Sequence, residues 1–95
     1  MLNFLISNIK FTKSNSGVGV KMTGEALNCM NVNYSSVAFR AVIFSRSTPM
    51  ANFTFTINGF NSKQAKTFEI EINDIPYNDG IDRALKAEIY VESAY

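Results

Sequence analysis

The chain of 95 residues contains no histidine, no tryptophan and a single cysteine, Cys29. Without histidine it lacks the commonest general base, the commonest zinc ligand and every Ser-His or Cys-His catalytic pair. One cysteine allows no disulfide within the chain. A glycine-rich phosphate loop is also missing, because Gly17-Val18-Gly19 leads into a predicted strand rather than a helix. We therefore predict that the protein is not an enzyme and holds no cofactor, although a Ser-Lys dyad stays formally open.

Charge and long apolar runs are equally scarce. Nine basic and eight acidic residues give a net charge of +1, so no excess charge attracts nucleic acid or an anionic membrane. No apolar run approaches the ~20 residues that a membrane-spanning helix needs. We expect one domain over residues 1–95 with a single small core. The lone cysteine is compatible with the cytoplasm and with the exterior of a bacterium.

Alternation of apolar and polar residues is the dominant pattern, and it predicts β-strands. The predicted strands cover about residues 2–12, 18–28, 36–45, 51–58, 65–72 and 84–92. Their spacing of roughly 8–12 residues indicates an all-β, antiparallel β-sandwich. The apolar residues of the first strand change phase near Ser7-Asn8, which predicts a bulge there. The count is six strands, or seven if the bulge divides the first one.

Four further features bear on how the strands are arranged. Residues 36–45 are apolar on both faces, which predicts a central strand. Residues 51–58 are uncharged and free of proline, so an open edge there would aggregate, and we expect this strand to pair on both sides or with another chain. Gly24 predicts a bulge or a close backbone approach within the second strand. Asn58-Gly59 begins the turn that we predict after the fourth strand, and Asn61-Ser62-Lys63 extends it.

Five short motifs lie in the middle of the chain: GEALN (24–28), YSSV (34–37), FRAVIF (39–44), FTIN (55–58) and KTFEI (66–70). The stretch 18–72 that contains them resembles the FxLYD-type domains, immunoglobulin-like β-sandwiches found mostly in exported proteins and lipoproteins of bacteria and archaea. This chain has Ile43-Phe44-Ser45 where that family has Leu-Tyr-Asp, so the acidic residue and the phenol hydroxyl are missing. The resemblance implies an immunoglobulin-like fold and an extracytoplasmic location, and it transfers no site residues.

Two groups of residues are candidates for a site. Arg40, Val42 and Phe44 share the outward face of the third predicted strand and form a candidate partner surface, unless a loop or another part of a larger protein covers them. The carboxylates of Asp74, Asp79 and Asp82 lie in one loop and could supply the oxygen ligands that calcium prefers. Their spacing does not match an EF-hand loop, so a solvated loop with Asx-turns is the alternative.

These observations predict a non-enzymatic accessory, binding or spacer domain of an exported or cell-surface prokaryotic protein. Its partner would be a protein or a cell-surface polymer, not nucleic acid, and the domain would be a monomer or an edge-strand dimer. One alternative is a structural assembly subunit that associates through its edge strands. Another is a carbohydrate- or calcium-binding module. The expected location is the cell surface, the periplasm or the exterior, and the cytoplasm stays open.

Overall fold

A computed structural model describes residues 3–95, with the side chain of Asp82 left out. The residues described form β1 (Phe4–Lys13), β2 (Val20–Asn28), β3 (Tyr34–Ser45), β4 (Thr48–Phe60), β5 (Ala65–Ile72), the single helical turn α1 (Ile81–Ala84) and β6 (Leu85–Ala94). The strands follow the alternation in the sequence, because every second side chain of a strand points to the same face. The predicted all-β fold is confirmed, with six strands among these residues.

The strands form two antiparallel sheets of three strands each. Sheet A has the order β1-β2-β5, and sheet B has the order β4-β3-β6. The apolar strand β3 is central in sheet B, as its two apolar faces predict. The two sheets form a β-sandwich, in agreement with the prediction, and the bulge in the first strand does not divide it into two.

The core lies between the two sheets and is built from their inward-facing residues. The central strands contribute the side chains with no exposed surface, among them Val20, Met22, Ala26, Val37, Phe39, Ala41 and Ile43. A row of aromatic rings joins the sheets. Phe39 lies 5.7 Å from Phe4 and 5.3 Å from Phe55, and Phe55 lies 4.9 Å from Phe68 (ring centroids). These contacts link β1, β3, β4 and β5 through the middle of the domain.

The predicted bulge in β1 is confirmed. The register of β1 against β2 shifts between Ser7 and Lys10, and Asn8 adopts a left-handed conformation with φ of 57°. The extra residue returns Ile9 to the core side, so Phe4 and Ile6 before the bulge and Ile9 and Phe11 after it all contribute to the core. On β2, Gly24 lies opposite the bulge, between the positions that pair with Ser7 and Lys10.

Gly24 is also the site of a close approach, and this gives a testable expectation. A Cβ added there would lie 2.6 Å from Cδ1 of Ile9 and 2.7 Å from Cζ of Phe68. We expect Gly24→Ala to lower the free energy of unfolding by about 1–3 kcal/mol, because overpacking displaces both neighbours. Urea denaturation of Gly24→Ala, Ile9→Val and the double variant would measure this. Since Ile9→Val removes Cδ1, the double variant should lose less than the sum of the single losses, and additive losses would contradict the steric explanation.

Several predicted boundaries are wrong. β2 begins at Val20, and Val18 is 68% exposed in the preceding turn. Asn58-Gly59 is not a turn. β4 continues to the buried Phe60, and Gly59 bends it with φ of 63°. The turn follows at residues 61–64, where the backbone N–H of Gln64 donates to the carbonyl oxygen of Asn61. Burial of Phe60 explains why the strand runs on past a dipeptide that usually turns the chain.

The expectation that residues 51–58 pair on both sides within the chain is also wrong. Among the described residues β4 pairs with β3 alone, because β6 occupies the other side of β3. After β4 the chain crosses to sheet A, where β5 pairs with β2. The inward-facing Phe53 and Phe55 are therefore only partly buried. Pairing of β4 with another chain stays a prediction.

Candidate functional site

The three residues predicted for a partner surface lie on one outward face of β3. Arg40 lies opposite Thr54 on β4 and Tyr90 on β6. Val42 lies opposite Asn52 and Glu88 in the same two strands. Residues two apart on a strand lie about 7 Å from each other on the same face. Arg40 and Val42 with their partners on β4 and β6 therefore form two neighbouring rows across sheet B. We call this surface the outer face of sheet B.

Arg40 is held in place from both sides of β3. Its Nε lies 2.7 Å from Oε1 of Glu92 on β6, and its Nη1 donates to Oδ1 of Asn52 on β4 at 2.6 Å. The side chains of Arg40 and Glu92 are 38% and 39% exposed, so this ion pair contributes little to stability. Two short contacts to different strands nevertheless fix the orientation of the guanidinium. An oriented guanidinium recognises carboxylates, phosphates and aromatic rings better than a mobile one.

Tyr90 completes this surface, and its position could not be read from the sequence. It lies directly opposite Arg40 and is 51% exposed. Tyrosine combines a large contact area with a polar hydroxyl and loses little conformational entropy on binding, which is why it is frequent in binding surfaces. Tyr95, the other tyrosine whose place was open, is 73% exposed, and its backbone pairs with Ser36.

Val42 and Phe44 differ in their surroundings. Both are partly buried. Val42 lies next to Arg40 on the same face of β3, whereas Phe44 lies near the end of the sheet, opposite Pro49 and Lys86. The structure therefore brings Arg40 and Val42 together with Tyr90 and leaves Phe44 at the margin of the face. A partner for this surface stays a prediction.

The loop with the three aspartates gives less support for a site. Asp74 and Asp79 are exposed on the segment between β5 and α1, and the side chain of Asp82 lies outside the described residues. Within the described part of the chain, no group of three His, Cys, Asp or Glu side chains could hold a metal ion. Ile75 is fully buried and ties this loop to the core. The calcium site stays a prediction.

A shallow apolar groove follows the open seam between β1 and β6. One part of it, with a volume of about 480 Å³, is lined by Ile9, Phe11, Leu85 and Ala87, with Lys10 and Lys86 beside them. Across the described residues, no helix has the length and apolar character to cross a membrane.

Comparison with known proteins identifies no relative of this chain. No family model matches this chain. No curated protein and no solved structure matches it either. The resemblance to FxLYD-type domains therefore stays a prediction, and the outer face of sheet B is the site that the geometry itself supports best.

Proposed function

We propose that this protein is a non-enzymatic binding domain whose partner docks on the outer face of sheet B. The observation that carries the proposal is the guanidinium of Arg40, held between Glu92 and Asn52 and opposite the exposed Tyr90. Arginine and tyrosine are, with tryptophan, the residues that are enriched among those that dominate binding energy at protein interfaces. A sheet offers them a rigid platform, which lowers the entropic cost of binding. The partner is a protein or a cell-surface polymer.

The strand order supports an immunoglobulin-like architecture for this domain. In immunoglobulin sandwiches, strand B lies between A and E, and strand C lies between C′ and F. The orders β1-β2-β5 and β4-β3-β6 have the same arrangement in chain order. Together with the FxLYD-like motifs, this supports placement in an exported or cell-surface prokaryotic protein, in which the domain binds a partner or acts as a spacer.

Binding of an envelope fraction from the source organism would test the proposal. We expect the purified domain to cosediment with that fraction and Arg40→Ala to weaken cosedimentation at least about tenfold, since truncating an interface hot spot costs about 2 kcal/mol or more. Arg83→Ala is the matched control, because Arg83 is an exposed arginine on α1, outside the strands of sheet B. It removes the same charge and should bind as the wild type does.

Two results would contradict this proposal. Equal cosedimentation of Arg40→Ala and the wild type would exclude the outer face of sheet B as the binding surface. Detection of the native protein only in the cytoplasmic fraction would exclude the exported role. Thermal melting should show that Arg40→Ala stays folded, because a half-exposed ion pair contributes at most about 1 kcal/mol.

A second function is favoured by a separate observation. β4 is an edge strand with no charged residue from Thr48 to Phe60, so its free side is open to another strand. A subunit that assembles through edge strands would use such a side. The residues of β4 themselves indicate which strand it would accept.

A further inference from the structure

We propose that β4 pairs with β4 of a second copy of this chain, in antiparallel orientation. The pairing would join two copies of sheet B into one continuous sheet with the order β6-β3-β4-β4′-β3′-β6′, where primes mark the second copy. It goes beyond the proposed binding function, because it concerns the edge of sheet B and needs no other partner. The two outer faces would then lie side by side on one extended sheet.

The four edge strands differ in charge, and only one of them is suited to pairing. Charged side chains on an edge oppose pairing with another strand. Three edges carry such charges: Lys10 and Lys13 on β1; Lys66, Glu69 and Glu71 on β5; and Lys86, Glu88 and Glu92 on β6. β4 carries none. One charge of sheet A reaches this strand, because Nζ of Lys66 on β5 donates to the carbonyl oxygen of Asn58 at 2.9 Å, beyond residues 51–57. A second β4 meets no charge on the strand itself, and the chain's net charge of +1 adds little repulsion between copies.

The inner side of β4 gives the pairing a hydrophobic gain. Phe53 and Phe55 face the core but are only partly buried, whereas Phe39, opposite Phe55 on the central strand, has no exposed surface. The difference arises because none of the strands formed by residues 3–95 covers the free side of β4. A second β4 would place its own phenylalanines beside these two. Aromatic pairs opposite each other on neighbouring strands stabilise a sheet.

The register follows from the residues that interrupt the strand. Pro49 has no N–H to donate, the register of β4 against β3 shifts at Met50, and Gly59 has φ of 63°, so the regular part of β4 lies within residues 51–58. Thr54 is the midpoint of residues 51–57. Pairing Thr54 with Thr54 of the second copy sets residues 51–57 against the same residues of that copy and places Phe53 opposite the second Phe55.

Other registers are worse. A slip must be by an even number of residues, because an odd slip would turn the apolar side chains to the outer face. The two smallest even slips set Pro49 opposite Ile57, or Gly59 opposite Ala51, of the second copy. Each would place a residue that interrupts the strand inside the new ladder. The register centred on Thr54 avoids both and makes a closed two-fold pair.

Sedimentation velocity of the full chain over a wide concentration range would test this pairing. We expect a reversible dimer. Thr54→Lys and Thr54→Glu should each be monomeric, because the substituted residue would face its own copy and repel it. An equimolar mixture of the two variants should regain the dimer, since opposite charges would then meet. Thr67→Lys is the matched control, because Thr67 is likewise an exposed threonine on an edge strand, β5; it should dimerise as the wild type does.

Several outcomes would overturn the proposal. These are a wild type that is monomeric at every concentration, a dimer that persists in both Thr54 variants, and variants that stay monomeric when mixed. Hydrogen exchange of the unmodified chain gives a check that needs no substitution. Those amides of residues 51–57 that point away from β3 should become more protected as the dimer forms, and equal protection at low and high concentration would contradict the pairing. Because no other partner is present, failure of the proposed binding function would leave these results unchanged.

Discussion

Replacing Asn28 by aspartate should lower the free energy of unfolding by roughly 3–5 kcal/mol. Asn28 ends β2 and has no exposed surface. Its Nδ2 donates to the carbonyl oxygens of Val32 at 3.0 Å and Phe60 at 3.2 Å, and its Oδ1 accepts from the backbone N–H of Met30 at 2.9 Å. This one side chain therefore organises the loop between β2 and β3 and fastens it to the end of β4.

Aspartate has nearly the same shape but cannot supply these bonds. A carboxylate has no N–H, so two carbonyl oxygens would lose their donor and face a buried negative charge instead. A buried charge without a partner is among the most destabilising changes to a folded protein. A domain of this size has about 5–15 kcal/mol of stability in total, so the loss would be a large share of it.

Urea denaturation would measure this effect as a lower midpoint of unfolding. Asn31→Asp is the matched control, because Asn31 lies exposed in the same loop. It makes the same chemical change at the surface and should shift stability by no more than about 0.5 kcal/mol. If the two variants unfolded at the same urea concentration, the hydrogen bonds of Asn28 would not be what holds the two segments together.

The strand at residues 65–72 and the bulge in β1 could be predicted, because both depend on how apolar and polar side chains alternate among neighbouring residues. The strand at residues 65–72 coincides with β5, since Phe68, Ile70 and Ile72 alternate with polar residues. The phase change at Ser7-Asn8 located the bulge, because one extra residue inverts the alternation. In both cases the signal lies within a few residues of the structure it specifies.

Features that depend on distant residues could not be predicted. The place of β4 at an edge is decided by β6, which lies about thirty residues later in the chain and takes the other side of β3. The pairing of Arg40 with Tyr90 depends on the same register. The burial of Asn28 could not be predicted either, because asparagine is mostly exposed in proteins and the burial of this one depends on carbonyl groups of two other segments.

Phe39→Ala should lower the free energy of unfolding by about 3–5 kcal/mol, the usual cost of removing a fully buried phenylalanine. Phe39 has no exposed surface, and its ring contacts Phe4 of sheet A and Phe55 of the neighbouring strand. Removal of the ring would break the aromatic row that joins the two sheets and leave a cavity at its centre. Neighbouring strands could close such a cavity only by moving away from the register that the ladders fix.

The opposite face of the same strand supplies the matched control. Phe44 is also on β3 but points outward and is only partly buried, so Phe44→Ala should cost about 1 kcal/mol. Phe39→Leu should recover part of the loss because it refills most of the volume. Urea denaturation of the three variants would rank them as Phe39→Ala, Phe39→Leu and Phe44→Ala, from least to most stable. Equal losses at Phe39 and Phe44 would mean that the aromatic row does not hold the two sheets together.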